Sequence, residues 1–176
     1  ENFKLKWFVN LNRSINLNTT ELFNSKFIIL TKNKIVISTD PHLYILSSVN
    51  GERLFKKPIP SITNIIVSNQ NLFLITKNNL LVCVDMSNGE IKYSVNLDEK
   101  IAKFLDTKKK TIKAKYLSLV NNNLIIFLEN SYTIKLTAKG QIKNIEKIKE
   151  KMKTRPIFIN NSLMFLKKKN KLIVLN

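Results

Sequence analysis

Few residues in this sequence are of types that commonly act in catalysis or bind metal ions. The 176 residues include one cysteine, Cys83, and one histidine, His42. A nucleophile needs a base beside it and a metal site needs several ligands, so these residues predict neither a catalytic pair nor a Cys/His metal site. Cys83 lies within an apolar stretch and is expected to be a small buried hydrophobe. His42 follows Asp40-Pro41 and is expected to be a turn residue.

The remaining polar residues give no catalytic or cofactor motif. The 12 acidic residues do not cluster with the spacing of a metal site, and no Gly-x-Ser-x-Gly motif occurs. Three scattered glycines exclude a glycine-rich phosphate loop. We therefore predict no catalytic, cofactor-binding or metal-binding residue, and expect the protein not to be an enzyme. No apolar run approaches the ~18 residues that a membrane-spanning helix needs.

The strong positive charge is partly a matter of composition. Lys and Arg total 30 against 12 acids, a net charge of +18. Only three of the basic residues are Arg, and 24 Asn and 23 Ile accompany three Ala and three Gly, the bias of A/T-rich codons. A nucleic-acid groove would favour Arg interleaved with aromatics, so no specific nucleic-acid partner is expected.

Three runs of lysine stand out within this charge. Their simplest interpretation is solvated strand ends and loop tips. The alternative is a patch for anionic lipid headgroups, as in a peripheral membrane contact, or for an acidic partner. The runs are Lys56-Lys57, Lys108-Lys109-Lys110 and Lys167-Lys168-Lys169.

Glycine marks an internal repeat. Gly51, Gly89 and Gly140 each follow an apolar stretch and precede another strand-like segment. Glycine relieves the steric cost of a positive φ, which tight hairpin turns often require. In a chain with only three glycines, the shared position predicts structural repeat turns at all three.

Apolar runs before the glycines give the length of the repeat. They begin at residues 34, 71, 123 and 162, and the glycines are spaced by 38 and 51 residues. The unit is thus about 38 residues, with an insertion of about 13 in one copy. Each unit contains about four strands separated by Asn- and Gly-containing turns. Four antiparallel strands in about 40 residues, repeated, indicate an all-β propeller built from four-stranded antiparallel blades.

The insertion follows the second copy. Asp98 is expected to cap a short helix there. Ile101, Phe104 and Leu105 would then share one face of this helix. Residues 144–153 also fit helical spacing, and the sequence leaves helix or strand open for them.

The chain ends decide how the blades close. Residues 4–11 match the fourth strand of the second copy, and residues 155–176 supply strands one to three of a last copy, so the chain holds about four blade equivalents. The ends either close a small ring or complete blades of a larger one, which leaves self-association or docking on a missing half as alternatives. The predicted blades are 12–60, 61–102, 111–150, and 151–176 together with 1–11.

The glycine motif resembles the quinoprotein-type, or PQQ-like, propeller repeat. In that repeat an apolar strand is followed by Asp-Ala-x-Thr-Gly-Lys-x-x-Trp. Residues 84–93 read Val-Asp-Met-Ser-Asn-Gly-Glu-Ile-Lys-Tyr and are the best match. The resemblance implies a structural role for Asp85, at the acid position that ends the strand.

The same resemblance implies docking contacts between blades. The tryptophan of the family falls four residues after the glycine, and this chain has Phe55, Tyr93 and Asn144 at those positions. Trp7 is the equivalent in the N-terminal segment. Blade-docking aromatics are therefore expected at Trp7, Phe55 and Tyr93, whereas a contact at Asn144 stays open.

Within that family the end of the chain is similar to the C-terminus of BamB-type lipoproteins of the outer-membrane β-barrel assembly machinery. The likeness rests on Thr154-Arg155-Pro156, which opens a blade, and on the final strand Leu172-Ile173-Val174-Leu175-Asn176. It implies half of an eight-bladed ring, anchored by lipid to the outer membrane on the periplasmic side. It also implies a non-catalytic role and a barrel-forming subunit as partner. The partner-binding residues stay unknown.

The function expected from sequence is thus a protein-binding scaffold in outer-membrane protein assembly. One alternative is a PQQ-repeat propeller with another interaction role in the cell envelope. A second is a degenerate quinoprotein dehydrogenase domain, which bound quinone or Ca²⁺ would reveal. A third is a basic nucleic-acid binder, whose affinity would fall steeply with salt.

Overall fold

The described part of the chain forms four antiparallel sheets that follow one another in sequence. The structure, a computed structural model, describes residues 4–11, 24–108 and 110–175. In every sheet, strands adjacent in sequence are also adjacent in space. This arrangement suits apolar strands joined by short turns rich in Asn and Gly. The predicted all-β fold of repeated antiparallel sheets is confirmed.

Three of the sheets have four strands and the last has three. The first sheet contains β1 (Asn24–Leu30), β2 (Lys34–Asp40), β3 (Leu43–Ser47) and β4 (Arg53–Lys57). The second contains β5 (Ile66–Ser68), β6 (Asn71–Ile75), β7 (Leu80–Asp85) and β8 (Ile91–Asn96). The third contains β9 (Ala114–Val120), β10 (Asn123–Leu128), β11 (Tyr132–Thr137) and β12 (Ile142–Lys147). The fourth contains β13 (Ile157–Ile159), β14 (Ser162–Leu166) and β15 (Leu172–Leu175).

A helix, α1 (Leu97–Leu105), occupies the insertion between the second and third sheets. The prediction that Asp98 caps it was wrong, because Asn96 is the N-cap and its side chain accepts a hydrogen bond from the first turn. Asp98 is buried, and its carboxylate accepts hydrogen bonds from the side chains of Asn79 and Thr111. Its role is therefore to tie the helix to the turn between β6 and β7 and to the loop that follows the helix.

The apolar face predicted for α1 is only partly buried. Ile101 packs into the core between the second and third sheets. Phe104 and Leu105 are exposed. The stretch 144–153, which the sequence left open, is strand up to Lys147 and has no helix.

The N-terminal segment differs from its prediction. Residues 4–10 contain no regular secondary structure, so the fourth strand expected there was wrong. The segment is held by a side chain, because the indole Nε1 of Trp7 donates a hydrogen bond to the carbonyl of Ser48 at 3.3 Å. A strand needs a neighbouring backbone to pair with, and β15 does not supply it to the described residues 4–11. Part of the predicted blade 12–60 lies outside the described residues, and the blade boundaries stay a prediction.

Two buried clusters join the first three sheets. Alternate residues of the second sheet's middle strands point to opposite sides, as the pleat requires. Leu72 and Leu74 enter the cluster shared with the first sheet, whereas Phe73 and Ile75 enter the cluster shared with the third. Burial on both sides explains why these strands are continuously apolar in sequence.

Candidate interaction surface

Each glycine turn lies against a side chain of the preceding repeat unit. Gly51, Gly89 and Gly140 have φ values of +75°, +72° and +80°. A Cβ atom on Gly51 would lie 2.6 Å from the ring of Trp7, and one on Gly89 would lie 2.7 Å from the ring of Phe55. Both the backbone conformation and the approach of the ring therefore require glycine at these turns.

The third glycine has a similar neighbour. A Cβ atom on Gly140 would lie 3.1 Å from the ring of Tyr93 and 2.7 Å from Val95 Cγ2. The hydroxyl of Tyr93 donates a hydrogen bond of 2.6 Å to the carbonyl of Ala138 in the same turn. Burial raises the pKa of this phenol, so it stays a donor at physiological pH. The structure thus brings the sequence-predicted aromatics Trp7, Phe55 and Tyr93 to the glycine turns.

The face of the third sheet that points toward the fourth sheet lacks the aromatic side chain found in the two preceding units. In the second sheet Cys83 pairs across the strands with Tyr93, and a register shift follows the pair. The corresponding pair of the third sheet, which also precedes a register shift, is Lys135 with Asn144. Cys83 is 1% exposed, whereas Lys135 is exposed. The face that is apolar in the second sheet is therefore polar in the third.

A groove separates this polar face from the fourth sheet. Its volume is about 740 Å³. Lys135, Asn144 and Glu146 line it from the third sheet, and Phe158 and Leu163 line it from the fourth. The gap follows from the residue types, since Lys135 and Asn144 do not pack against the neighbouring sheet as Cys83 and Tyr93 do in the junction between the second and third sheets.

Residues 148–153, in the connection between the third and fourth sheets, line both the groove and a second cavity of about 300 Å³. Lys115 Nζ donates a 2.6 Å hydrogen bond to the carbonyl of Met152, and the hydroxyl of Tyr116 donates one of 3.1 Å to the carbonyl of Lys153. These bonds fix the connecting segment to β9, the first strand of the third sheet.

Aromatic rings form the floor between the two cavities. The Phe127 ring lies 6.3 Å from the ring of Phe158, centroid to centroid, at an interplanar angle of 43°. Phe127 is buried, and it lines both cavities. The groove therefore has an apolar floor that spans the third and fourth sheets.

The walls of the groove are strongly basic. Three glutamates, Glu129, Glu146 and Glu150, also line the two cavities. Lys167 already holds Glu150 in an ion pair of 2.9 Å. The lysines that line the cavities are Lys115, Lys135, Lys143, Lys147, Lys149, Lys151, Lys153 and Lys168.

The three predicted lysine runs lie in different surroundings. Lys56 Nζ lies 5.9 Å above the Tyr44 ring. Lys108 and Lys110 are exposed next to α1, and Lys109 lies outside the described residues. The run from Lys167 to Lys169 borders the groove, so it contributes to the candidate surface, which the described residues of the other two runs do not line.

The potentially reactive residues lie apart from the groove. Burial is the main cause that raises the pKa of the Cys83 thiol, which packs in the core between the second and third sheets. His42 follows the turn at Pro41, and its pKa is lowered mainly by burial. Within residues 4–11, 24–108 and 110–175, no group of three or more His, Cys, Asp or Glu side chains could hold a metal ion. No helix in the same part of the chain is long and apolar enough to cross a membrane.

Asp85 stabilises the second glycine turn. Its Oδ1 accepts a hydrogen bond of 2.7 Å from the backbone N–H of Ser87. Its Oδ2 lies 2.8 Å from Lys92 Nζ, and this contact is the main reason that the carboxyl pKa is lowered. The side chain thus acts within the turn.

Within the described residues, β15 is an edge strand of the fourth sheet and lies beside the groove. The third strand of each other sheet is covered by a fourth strand, whereas β15 is the edge of its sheet in the described chain. Leu175 of β15 lines the groove. Leu172 and Val174 are 63% and 50% exposed, and Val174 alternates with Leu175 and so faces the opposite side.

Sequence reasoning missed this groove, although a signal was present. It predicted no partner-binding residue. The middle strands of the first two repeats are continuously apolar, but β11 has Thr133 and Lys135 on the face opposite to its buried Ile134 and Leu136. With Asn144 in the aromatic position, these residues indicated a face that its neighbour does not cover tightly.

Comparison with solved structures shows the fold. BamB from Moraxella catarrhalis superposes with a TM-score of 0.66 at 13% identity, covering 84% of this chain and 41% of that protein. The chain therefore spans less than half the length of BamB. The computationally designed Ika4 protein matches with a TM-score of 0.65 at 11% identity, over 98% of both chains. The designed Ika8 protein matches with a TM-score of 0.58 at 14% identity, over 85% of this chain and 45% of that one.

Sequence comparisons add no family. No protein-family model matches this chain, and a search of curated proteins finds no match. The β-propeller fold is thus shown by structure, and membership of the PQQ-like repeat family stays a prediction.

Proposed function

We propose that this chain is a non-catalytic, protein-binding propeller scaffold that acts like BamB in the assembly and insertion of outer-membrane β-barrel proteins. The observation that supports this most directly is the fold similarity to BamB over 84% of the chain. We place it, on the same proposal, in the periplasm at the outer membrane, where a barrel-assembly subunit would be its partner.

The arrangement of the sheets supports a binding role. The first three sheets pack through two buried clusters and form a stable platform. The third and fourth sheets leave a basic groove with an apolar floor. A surface that combines apolar floor and charged rim is typical of sites that bind proteins. The chain would thus act by presenting this surface on a fixed frame.

The proposal is tested with purified components. The chain is immobilised, and the soluble periplasmic domains of a barrel-assembly subunit are passed over it at about 0.15 M and about 0.5 M salt, where surface charge is well screened. Binding that survives high salt is the expected result. No binding at 0.15 M salt, or binding abolished at 0.5 M salt, would contradict the assignment to barrel assembly.

Two controls separate specific binding from generic charge. Double-stranded DNA tests the basic surface, since purely electrostatic binding falls steeply with salt and has no sequence preference. The variant Lys32→Glu/Lys100→Glu lowers the net charge through two exposed lysines that lie away from the groove. A specific complex should retain its affinity in this variant.

A further inference from the structure

We propose that the groove between the third and fourth sheets, together with the edge of β15 that no described strand covers, binds an extended partner segment in which acidic and apolar residues alternate. This inference rests on the proposed protein-binding function and names the class of partner for that surface. The segment would add to the fourth sheet as its fourth strand.

Charge complementarity is the first argument. Eight lysines and three glutamates line the two cavities of the groove. One of those glutamates, Glu150, already has Lys167 as its ion-pair partner. Lys135 and Lys143 lie on the wall that faces the fourth sheet, and both are exposed. Carboxylates that enter the groove would meet an excess of positive charge, which favours an acidic ligand.

The edge of β15, which no strand of the described residues covers, gives the second argument. The backbone N–H and C=O groups on the outer side of an edge strand are available to another strand. A peptide that pairs with β15 would satisfy them, as in recognition by strand addition. A lipid headgroup or a nucleic-acid backbone has no repeating amide groups to match this edge, which favours a peptide.

The alternation follows from the pleat of the added strand. Its side chains would point alternately to the two faces of the fourth sheet. On the groove side they would lie beside Leu175 and reach Lys135 and Lys143, which suits acidic residues. On the opposite side they would lie beside Val174 and the exposed Leu172, which suits apolar residues that cover this surface.

Residues 4–11 are a poor occupant for the same edge. They include Lys4 and Lys6, which would place further positive charge against the lysines of the groove. Trp7 already contacts Ser48 in the turn between β3 and β4. A separate acidic segment therefore fits the groove better than this part of the chain.

The test uses a fluorescein-labelled peptide of ten residues that alternates glutamate and valine. Its binding to the chain is measured by fluorescence anisotropy. A peptide that alternates lysine and valine should not bind. A peptide with five glutamates followed by five valines has the same composition, and a peptide N-methylated at every residue has no backbone N–H to donate along either edge. Both should bind at least about fivefold more weakly if strand addition is correct.

Charge-reversal variants locate the site. Lys135→Glu/Lys143→Glu should weaken binding of the alternating peptide roughly tenfold, since two favourable charge pairs become repulsive. Lys32→Glu/Lys100→Glu has the same net charge and should change the affinity less than about twofold. Urea unfolding of both variants verifies that they are equally folded. Equal loss in the two variants, or no loss in either, would overturn the proposed site.

The remaining outcomes separate this inference from the function on which it rests. If vesicles containing anionic lipid bind through Lys135 and Lys143 and the peptide does not, the peptide inference is wrong. If the assembly subunit binds at high salt but the peptide does not, the scaffold proposal stands and the groove inference fails. If the peptide binds in the groove but the assembly subunit does not, the groove inference stands and the assignment to barrel assembly fails.

Discussion

The junction between the second and third sheets and the junction between the third and fourth are built from the same repeat but differ in how they are filled. At the first, thirteen buried residues form one cluster. The side chain of Asn64 adds two hydrogen bonds to the third sheet. Its Nδ2 donates to the carbonyl of Leu117 at 2.7 Å, and its Oδ1 accepts from the backbone N–H of Leu117 at 3.2 Å. At the second, the Phe127–Phe158 contact borders a groove of about 740 Å³.

The difference depends on a few positions of one sheet. Where the second sheet has the buried Cys83 and the half-buried Tyr93, the third has Lys135 and Asn144. Each sheet pairs its strands by the same backbone hydrogen bonds, so these replacements leave the sheet intact and change only what its outer face can pack against. A repeat fold can therefore open a binding surface without altering its architecture.

The largest effect on stability is expected from alanine substitutions at two adjacent isoleucines of β10, which face different junctions. Ile126 is 0% exposed in the packed junction, whereas Ile125 lines the groove. Ile126→Ala should lower the free energy of unfolding by about 3 kcal/mol, because it leaves a cavity in a closely packed core. Ile125→Ala should cost about 1 kcal/mol. Urea unfolding measures both, and equal losses would show that the junctions are filled alike.

The next effect concerns the contact between a glycine turn and the preceding unit. Gly89→Ala places a Cβ atom 2.7 Å from the Phe55 ring at a φ of +72°. We expect a loss of about 2 kcal/mol from strain and overpacking. The double variant Gly89→Ala/Phe55→Ala should lose less than the sum of the single variants, because the ring that clashes is absent. Strictly additive losses would argue against this contact.

Asn64 tests the polar link across the packed junction. Asn64→Ala leaves the buried N–H and C=O of Leu117 without their present partners. The expected loss in the free energy of unfolding is about 2 kcal/mol. Asn123→Ala is the matched control, since its side chain makes an exposed hydrogen bond to the carbonyl of Asn121; it should change stability by less than about 0.5 kcal/mol. A similar effect of both variants would assign no special role to Asn64.

The smallest change in stability is expected at Asn144, where the two preceding units have an aromatic residue. Asn144→Tyr should alter the free energy of unfolding by less than about 0.5 kcal/mol, because Asn144 is exposed and the groove beside it is open. The larger ring should nevertheless obstruct the groove and weaken binding of the alternating acidic peptide about fivefold. Asn144→Ser keeps a small polar side chain and should bind like the original chain. Stabilisation by more than about 1 kcal/mol would mean that an aromatic alone closes this junction.

Much of the fold could be predicted because its signals are local. The three glycines and the apolar runs between them gave the repeat, and turn residues gave the strand count. The helix was placed correctly, but its cap was not: Asn96 and Asp98 are both good caps, and the choice between them depends on the contacts of Asp98 with Asn79 and Thr111. Those partners come from loops that meet only after the sheets have packed.

The candidate surface was harder to predict from the sequence. Thr133 and Lys135 interrupt an apolar strand, yet the same pattern is usual for a face exposed to water. The sequence likewise predicted a strand for residues 4–11, because their alternation matches β8. Pairing requires a partner backbone, and the structure instead places Trp7 of this segment on the turn of Gly51.

The sequence by itself determined the repeat, the antiparallel strands and the residues at the turns, because each depends on neighbours within a few positions of the chain. Only the tertiary structure decided which face of each sheet is covered by its neighbour and how closely the two sheets pack. The groove joins Lys135 and Asn144 with Phe158 and Leu163 from a different sheet. Their approach depends on how two sheets pack, and that packing is set by side-chain volumes on both faces at once.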